Sequence, residues 1–162
     1  MIDLRKKTVE DYVEKLYELQ KGDSRVHTNE VASSFKIKPA SVTEIFVKLK
    51  EEGYINYKKY GGVSLTEKGK ELARETRRRH DALFEFLVMI GVERKIAERD
   101  ACEMEHILHK KSMSAIIKFV DVINKCRFTP LFIKRLKKYV ETGKLSECPS
   151  EVMKICKKYS TL

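Results

Sequence analysis

No stretch of this 162-residue chain approaches the ~18 consecutive apolar residues that a membrane-spanning helix needs. The first residues, Met1 to Lys7, are polar and basic and lack the apolar segment of a secretory leader. Together these absences make the cytoplasm the expected compartment, with no membrane partner. The four cysteines, Cys102, Cys126, Cys148 and Cys156, form no C-x-x-C pair, so thiols are expected here and not a disulfide framework. Internal repeats and low-complexity segments are also missing. No pairing of a nucleophile with a general base stands out, which argues against an enzyme. Acid is locally scarce as well: nine Lys and Arg residues between Lys110 and Lys138 face the single Asp121. That excess reads first as a solvated basic surface and second as an additional nucleic-acid contact.

What is present suits a mostly helical protein with a core of its own: 42% of residues are hydrophobic and 36% charged. The net charge of +10 fits a polyanionic partner, most often nucleic acid.

Residues Thr8 to Gln20 predict a helix, with Val9, Tyr12, Val13, Leu16 and Tyr17 inward. Asp11, Glu14 and Glu18 fall on its opposite face. Alone they read as a solvated stripe, although Asp11 and Glu14 could lend oxygen ligands to a site built elsewhere. After a break at Lys21–Ser24, Val26 to Glu52 predicts helix, turn, helix. Thr28 is the expected cap of the first helix, and Pro39 suits the opening turn of the second. Val42, Ile45, Phe46 and Leu49 give that second helix its core face. Its outward face carries Ala40, Ser41, Thr43 and Glu44, with Lys48 and Lys50 further along.

Tyr54 to Tyr57 alternates like a strand, Lys58 to Gly62 makes a basic turn, and Val63 to Leu65 returns. A helix-turn-helix followed at once by such a hairpin is a winged helix. Ser41, Thr43 and Glu44 are then the candidates for groove contacts, with Lys48 further along the same helix. Lys38, Lys58 and Lys59 are placed to neutralise phosphates. Thr66 is expected to cap a long helix ending at Gly91, with Leu72, Thr76, His80, Leu83 and Leu87 in phase along it. A lone histidine on such a face is most simply a core residue.

The next helix, Glu93 to His109, contains Cys102, Glu105 and His106 at i, i+3 and i+4, on one face. Thiolate, carboxylate and imidazole converging on one point can hold a divalent transition metal. Three such residues alone fit equally well a buried cysteine beside a solvated Glu-His pair. His109 offers a rival His-x-x-His pairing. Ile96, Ala97, Met104, Ile107 and Leu108 suggest a separate apolar stripe. Two further amphipathic helices are expected, Met113 to Asn124 and Pro130 to Val140, the latter with Phe132, Ile133, Leu136 and Tyr139 inward. A tail follows, with one weak helix holding Cys156.

Read together, these residues resemble the family of iron- and manganese-dependent transcriptional repressors. The motifs that carry the likeness are Glu10-Asp11-Tyr12-Val13-Glu14, Ser41-Val42-Thr43 ahead of Lys48-Leu49, and Leu65-Thr66-Glu67-Lys68-Gly69. Further along come Arg79-His80, Ile90-Gly91-Val92 and Cys102-Glu103-Met104-Glu105-His106. The resemblance covers roughly residues 8 to 140.

It implies a mostly α fold: a winged helix-turn-helix over residues 1–74, a helical dimerisation and metal-binding domain over 75–145, and a tail over 146–162. The SH3-like domain of longer members is not expected. The resemblance further implies a homodimer on a palindromic double-stranded operator, with metal between the halves setting the spacing of the wings. By position, Asp11, Cys102, Glu105 and His106 match the regulatory metal site, and Glu14 and His80 match neighbouring or binuclear positions. Iron-type members commonly place Met at the position of Asp11, and manganese-type members place Glu at the position of Cys102, so this chain mixes the two patterns. The thiolate tilts the choice to Fe²⁺, then Mn²⁺, with Zn²⁺, Co²⁺ or Ni²⁺ able to substitute in vitro. An alternative within the same fold is a regulator that senses redox state, through Cys102, or a small organic ligand.

Overall fold

The computed structural model describes residues 6–20, 22, 24–59, 61–126, 129–144, 147 and 150. Its elements run α1 (Lys6–Leu19), α2 (Thr28–Phe35), α3 (Pro39–Glu51), β1 (Ile55–Lys58), β2 (Gly62–Leu65), α4 (Glu67–Met89), α5 (Arg94–Ile107), α6 (Lys110–Lys125) and α7 (Thr129–Thr142). Lys21, Asp23, Tyr60 at the expected wing tip, and Cys148 and Cys156 with the expected last helix lie outside the described residues.

Local chemistry fixes most of the boundaries. Lys36 turns the chain out of α2 in the left-handed conformation, and Pro39 opens α3, where its missing N–H costs nothing. The cap of α2 is His27 and not Thr28; the His27 backbone N–H donates to Glu30 Oε2 at 2.6 Å. Thr66 caps α4 as expected, its hydroxyl accepting from the Gly69 N–H at 3.1 Å. Gly91, at φ 102°, closes the other end of that helix, where the Val92 N–H reaches back to the Leu87 carbonyl at 3.0 Å.

β1 and β2 pair antiparallel, Ile55 opposite Leu65 and Lys58 opposite Gly62. Gly69 lets α4 lie directly on this hairpin, since a Cβ there would stand 2.2 Å from the Tyr54 carbonyl oxygen. The end of α1 is fastened to the same hairpin. The Leu65 N–H donates to Gln20 Oε1 at 3.0 Å, and Val26 exchanges two backbone bonds with Val63. A displacement of α1 is therefore felt by the wing.

Two cores meet along α4. In the first, Val13, Leu16, Val31, Val42, Phe46, Leu49, Ile55 and Val63 pack with Ala73 from the start of α4. Phe35 closes it by stacking on Tyr12, with ring centroids 4.6 Å apart. In the second, Ala82, Leu83 and Leu87 of α4 meet Ala97, Ala101 and Met113. At ~1.5 Å per residue, the 23 residues of α4 make a strut of about 35 Å through both. Burial of aliphatic and aromatic side chains, at roughly 25 cal/mol per Å² removed from water, holds each core together.

Several inward assignments fail. Tyr17 is exposed on α1, and Phe132 and Tyr139 are exposed on α7. In α5 the buried line is Ala97, Ala101 and Glu105, spaced four apart, while Ile96 and Ile107 face outward. Small alanines let α5 approach α4 closely, and close approach decides which side of the helix is buried.

Candidate metal centre

That buried line ends on a carboxylate. Glu105 is 2% exposed, and among the described residues neither of its oxygens has a hydrogen-bond partner. An unpaired ionised carboxylate in such a place costs several kcal/mol, so the group resists ionisation. Burial, reinforced by the charges of Glu14, Glu10 and Asp11 against the opposing Arg79, pushes the Glu105 acid up to about 8. The residues one step further along α5, Cys102 and His106, lie beside it. One donor atom each from Cys102, Glu105 and His106 all fall within 4.8 Å of one another. Two donors each ~2.3 Å from a common ion stand at most about 4.6 Å apart, so small rotations bring the three into ligating range.

α1 supplies the opposite wall. Its core face (Val9, Tyr12, Val13, Leu16) seats it against the first core, which turns the adjacent acids toward α4 and α5. Asp11 Oδ1 lies 3.0 Å from His106 Nε2, and Glu105 Oε1 lies 3.5 Å from the same nitrogen. Neither contact is a hydrogen bond, and among the described residues this buried Nε2 has no hydrogen-bond partner. Burial raises the acids of Asp11 and Glu14 above the usual carboxylate range, Glu18 adding to the effect at Glu14. It raises the Cys102 thiol too, helped by the charges of Glu105 and Asp11. Without an added cation the site therefore favours its protons; a divalent ion would displace them and satisfy the stranded atoms. The donor set fits such an ion.

A cleft of about 540 Å³ opens over these groups, lined by Asp11, Glu14, His80, Glu98 and Cys102 among others. His80 is 6% exposed, with Nε2 3.7 Å from Glu98 Oε1. Arg77 Nη1 stands 3.8 Å from Glu14 Oε1 and 3.6 Å from Glu18 Oε1, a cation that competes for the same acids. Three of the six expected ligands, Cys102, Glu105 and His106, thus gather within 4.8 Å of one another; Asp11 approaches from α1 through its contact with His106, and Glu14 and His80 line the adjoining wall. His109 does not join them: it caps α6, its Nδ1 accepting from the Lys111 N–H at 3.2 Å.

Sequence reasoning missed Glu10 and Glu98. Glu10 is 2% exposed, with Oε2 2.8 Å from His106 Nδ1. Its other oxygen accepts from Arg79 Nη2 at 2.7 Å, and that nitrogen also donates to Thr76 Oγ1 at 3.0 Å. Burial alone would raise the Glu10 acid, but the hydrogen bonds from Arg79 and His106 outweigh it and hold the acid below the usual range. Its position, between Val9 on the core face and Asp11 on the acid face of α1, was the available signal.

The candidate DNA contacts sit on α3 and the hairpin. Lys38, Ser41, Glu44, Lys58 and Lys59 are exposed, Thr43 and Lys48 half-buried. The Thr43 hydroxyl donates to the Pro39 carbonyl at 3.1 Å.

Two family models match the chain. Residues 5–63 match the family model for the iron dependent repressor N-terminal DNA binding domain, and residues 66–130 that for its metal binding and dimerisation domain. An uncharacterized HTH-type transcriptional regulator of Methanocaldococcus jannaschii is 37% identical over 116 residues, covering 70% of this chain and 93% of that protein. The HTH-type transcriptional regulator MntR of Bacillus subtilis is 37% identical over 111 residues, 67% of this chain and 77% of its own. Among solved structures, a manganese-dependent transcriptional repressor in complex with manganese superposes with a TM-score of 0.62 at 26% identity. ScaR with bound Zn²⁺ superposes at 0.61 and 29% identity. Each covers 70% of this chain, which spans about half of theirs, 52% and 53%.

Proposed function

The chain belongs to the iron-dependent repressor family, DNA-binding regulators and not enzymes, and from that premise we propose that the cleft between α1 and α5 is its regulatory metal site. Asp11, Cys102, Glu105 and His106 hold a divalent ion, and Glu14 and His80 complete the site or a second one beside it. The observation that carries this reading is Glu105, a carboxylate buried with both oxygens lacking partners among the described residues, 3.5 Å from an equally stranded imidazole nitrogen. Such a pair is costly unless a cation neutralises it. The ion is Fe²⁺, with Mn²⁺ second: Cys102 favours the softer metal, while three carboxylates keep the site open to the harder one.

Asp11 and Glu14 belong to the helix that Gln20 fastens to the wing, whereas Cys102, Glu105 and His106 belong to α5. Without metal, Glu105 must hold a proton to stay buried beside Asp11 and Glu14, and that penalty weakens the docking of α1 on α5. With metal, α1 stays docked and the wing keeps one position. Regulation is a shift between these populations, limited by the difference in metal affinity of the two. The reading half is residues 1–74, the helical half 75–145 and the tail 146–162, a division supported by Ala73 packing in the first core and Ala82 in the second. Ser41, Thr43 and Glu44 face the major groove with Lys48 alongside, and Lys38, Lys58 and Lys59 meet phosphates. The protein acts as a cytoplasmic homodimer on a palindromic operator. Exposed Ile107, Phe119 and Val122 supply apolar surface for the second copy.

The test is an anaerobic titration of Fe²⁺, Mn²⁺ and Zn²⁺ while operator binding is followed by fluorescence anisotropy, with Glu105→Ala as control. Metal-stimulated binding in the wild type and none in the variant is expected. Binding that ignores chelator but responds to oxidant would move the sensing role to the Cys102 thiol alone.

A further inference from the structure

We propose that Glu10 is a positioning residue for this centre: its carboxylate, anchored on Arg79, keeps the His106 proton on Nδ1 and so leaves the Nε2 lone pair facing Asp11, Cys102 and Glu105. The inference rests on the metal-site reading above and adds to it a residue outside the ligand set.

The geometry leaves few alternatives. Arg79 is a donor only and always charged, its Nη2 stands 2.7 Å from Glu10 Oε1, and Lys6 Nζ lies 3.6 Å from the same oxygen, so two cations keep this carboxyl an ionised acceptor. Its second oxygen, 2.8 Å from His106 Nδ1, then requires that nitrogen to be the donor. A neutral ring with its proton on Nδ1 has its only lone pair on Nε2. That atom is buried, lacks a hydrogen-bond partner among the described residues, and has carboxylate oxygens at 3.0 Å and 3.5 Å. The anchor is itself held: Thr76, fully buried, takes a second bond from the same guanidinium nitrogen at 3.0 Å. Glu10 thus joins α1 to α4 and α5 at one point. Stability does not account for it, since buried ion pairs are often no better than apolar packing of the same volume. A carboxylate behind a metal-ligating histidine fixes ring orientation and tautomer, and its loss elsewhere lowers metal affinity by roughly 10- to 100-fold.

Glu10→Gln makes a sharp test because Arg79 dictates which way the amide turns. Its oxygen goes to the guanidinium, its NH₂ faces Nδ1, and the imidazole must then accept there and carry its proton on Nε2, inside the site. The full-length protein, wild type and E10Q, is examined metal-free in mildly alkaline buffer, where imidazole is neutral, by ¹⁵N correlation spectra of the histidine rings. Both are then titrated with Co²⁺, read at the thiolate-to-cobalt charge-transfer band of Cys102. Expected are an Nδ1–H ring in the wild type, an Nε2–H ring in E10Q, and Co²⁺ binding weakened by about 10- to 100-fold in a variant that still unfolds cooperatively. An Nε2–H ring in the wild type, or Co²⁺ binding by E10Q at wild-type affinity, overturns the assignment. Should E10Q not fold, the wild-type tautomer decides alone: Nδ1–H supports the proposal and Nε2–H refutes it. A wild type with no charge-transfer band, matched by unchanged Co²⁺ affinity in Cys102→Ser, would instead remove the metal-site reading itself.

Discussion

Replacing Glu105 by Gln should make the metal-free protein more stable while destroying its metal response. The buried carboxyl titrates at about 8 in the folded chain against an ordinary value of 4.5. Between those pH values the unfolded chain loses this proton and the folded chain keeps it, so stability falls as pH rises. Each pH unit in the window costs about 1.4 kcal/mol, and by pH 7 the loss is roughly 3 kcal/mol. Below pH 4.5 both states are protonated and the penalty vanishes; above 8 it is fully present. Gln has nearly the same shape and no charge, so it removes the slope.

The assay is urea denaturation of both proteins in chelator at pH 5 and pH 7, followed by circular dichroism. Asp11 and Glu14 also have raised acids; their own burial is common to both proteins, so the difference reports Glu105 together with its coupling to them. The wild type should fall behind E105Q by about 2–3 kcal/mol between the two pH values. Parallel pH dependence would show that Glu105 is solvated in the metal-free state, and the electrostatic account of the site would go with it.

The other predictions concern the reading half. Lys59→Ala at the hairpin should weaken binding to operator and non-operator DNA alike and reduce the slope of log affinity against log salt by about 1. A loss confined to the operator would mean that this lysine reads bases. Gly69→Ala would drive a methyl to 2.2 Å from the Tyr54 carbonyl, within the contact that seats α4 on the hairpin. Chemical denaturation should show a loss of about 1–3 kcal/mol, typical of overpacking. Unchanged stability would mean that hairpin and strut are not in rigid contact.

Punctuation and periodicity made most of the architecture legible. Pro39, Thr66 and Gly91 mark helix ends where the structure has them, and the phase of Thr76, His80, Leu83 and Leu87 along α4 matches their burial. The Cys102, Glu105 and His106 cluster was legible because its spacing falls on one helix face, whereas Asp11, Glu14 and His80, on other helices, were assigned to the same site only by the family resemblance. What periodicity does not carry is the identity of the neighbour that each face meets. In α5 the isoleucines suggested the buried side, yet the helix packs through Ala97 and Ala101, and Ile96 and Ile107 remain outside. Phe132 and Tyr139 are likewise exposed on α7, because a pattern of apolar residues does not distinguish a partner in the same chain from one in a second copy. Glu10, and the burial of Glu105, were hidden for the opposite reason: charged residues are rarely buried, so a pattern read by hydrophobicity puts them on the surface.

Those two buried carboxylates also indicate how large the switch can be. The contacts across the α1 junction are of two kinds. Lys7 to Glu103 at 2.7 Å and Arg77 to the acids of α1 are largely exposed pairs, worth about 0–1 kcal/mol each. They add little to the apolar packing of Val9, Tyr12, Val13 and Leu16 that seats α1 on the first core. Glu10, bonded to both Arg79 and His106, is the buried tie that persists without metal. The docked position of α1 therefore exists in the metal-free protein, opposed by a penalty at Glu105 of roughly 3 kcal/mol near neutral pH. Allosteric couplings are typically about 1–3 kcal/mol, a 5- to 150-fold change in affinity. Relief of the Glu105 penalty is of that size, so on the metal-site reading proposed above one bound cation supplies enough energy to bias the position of α1.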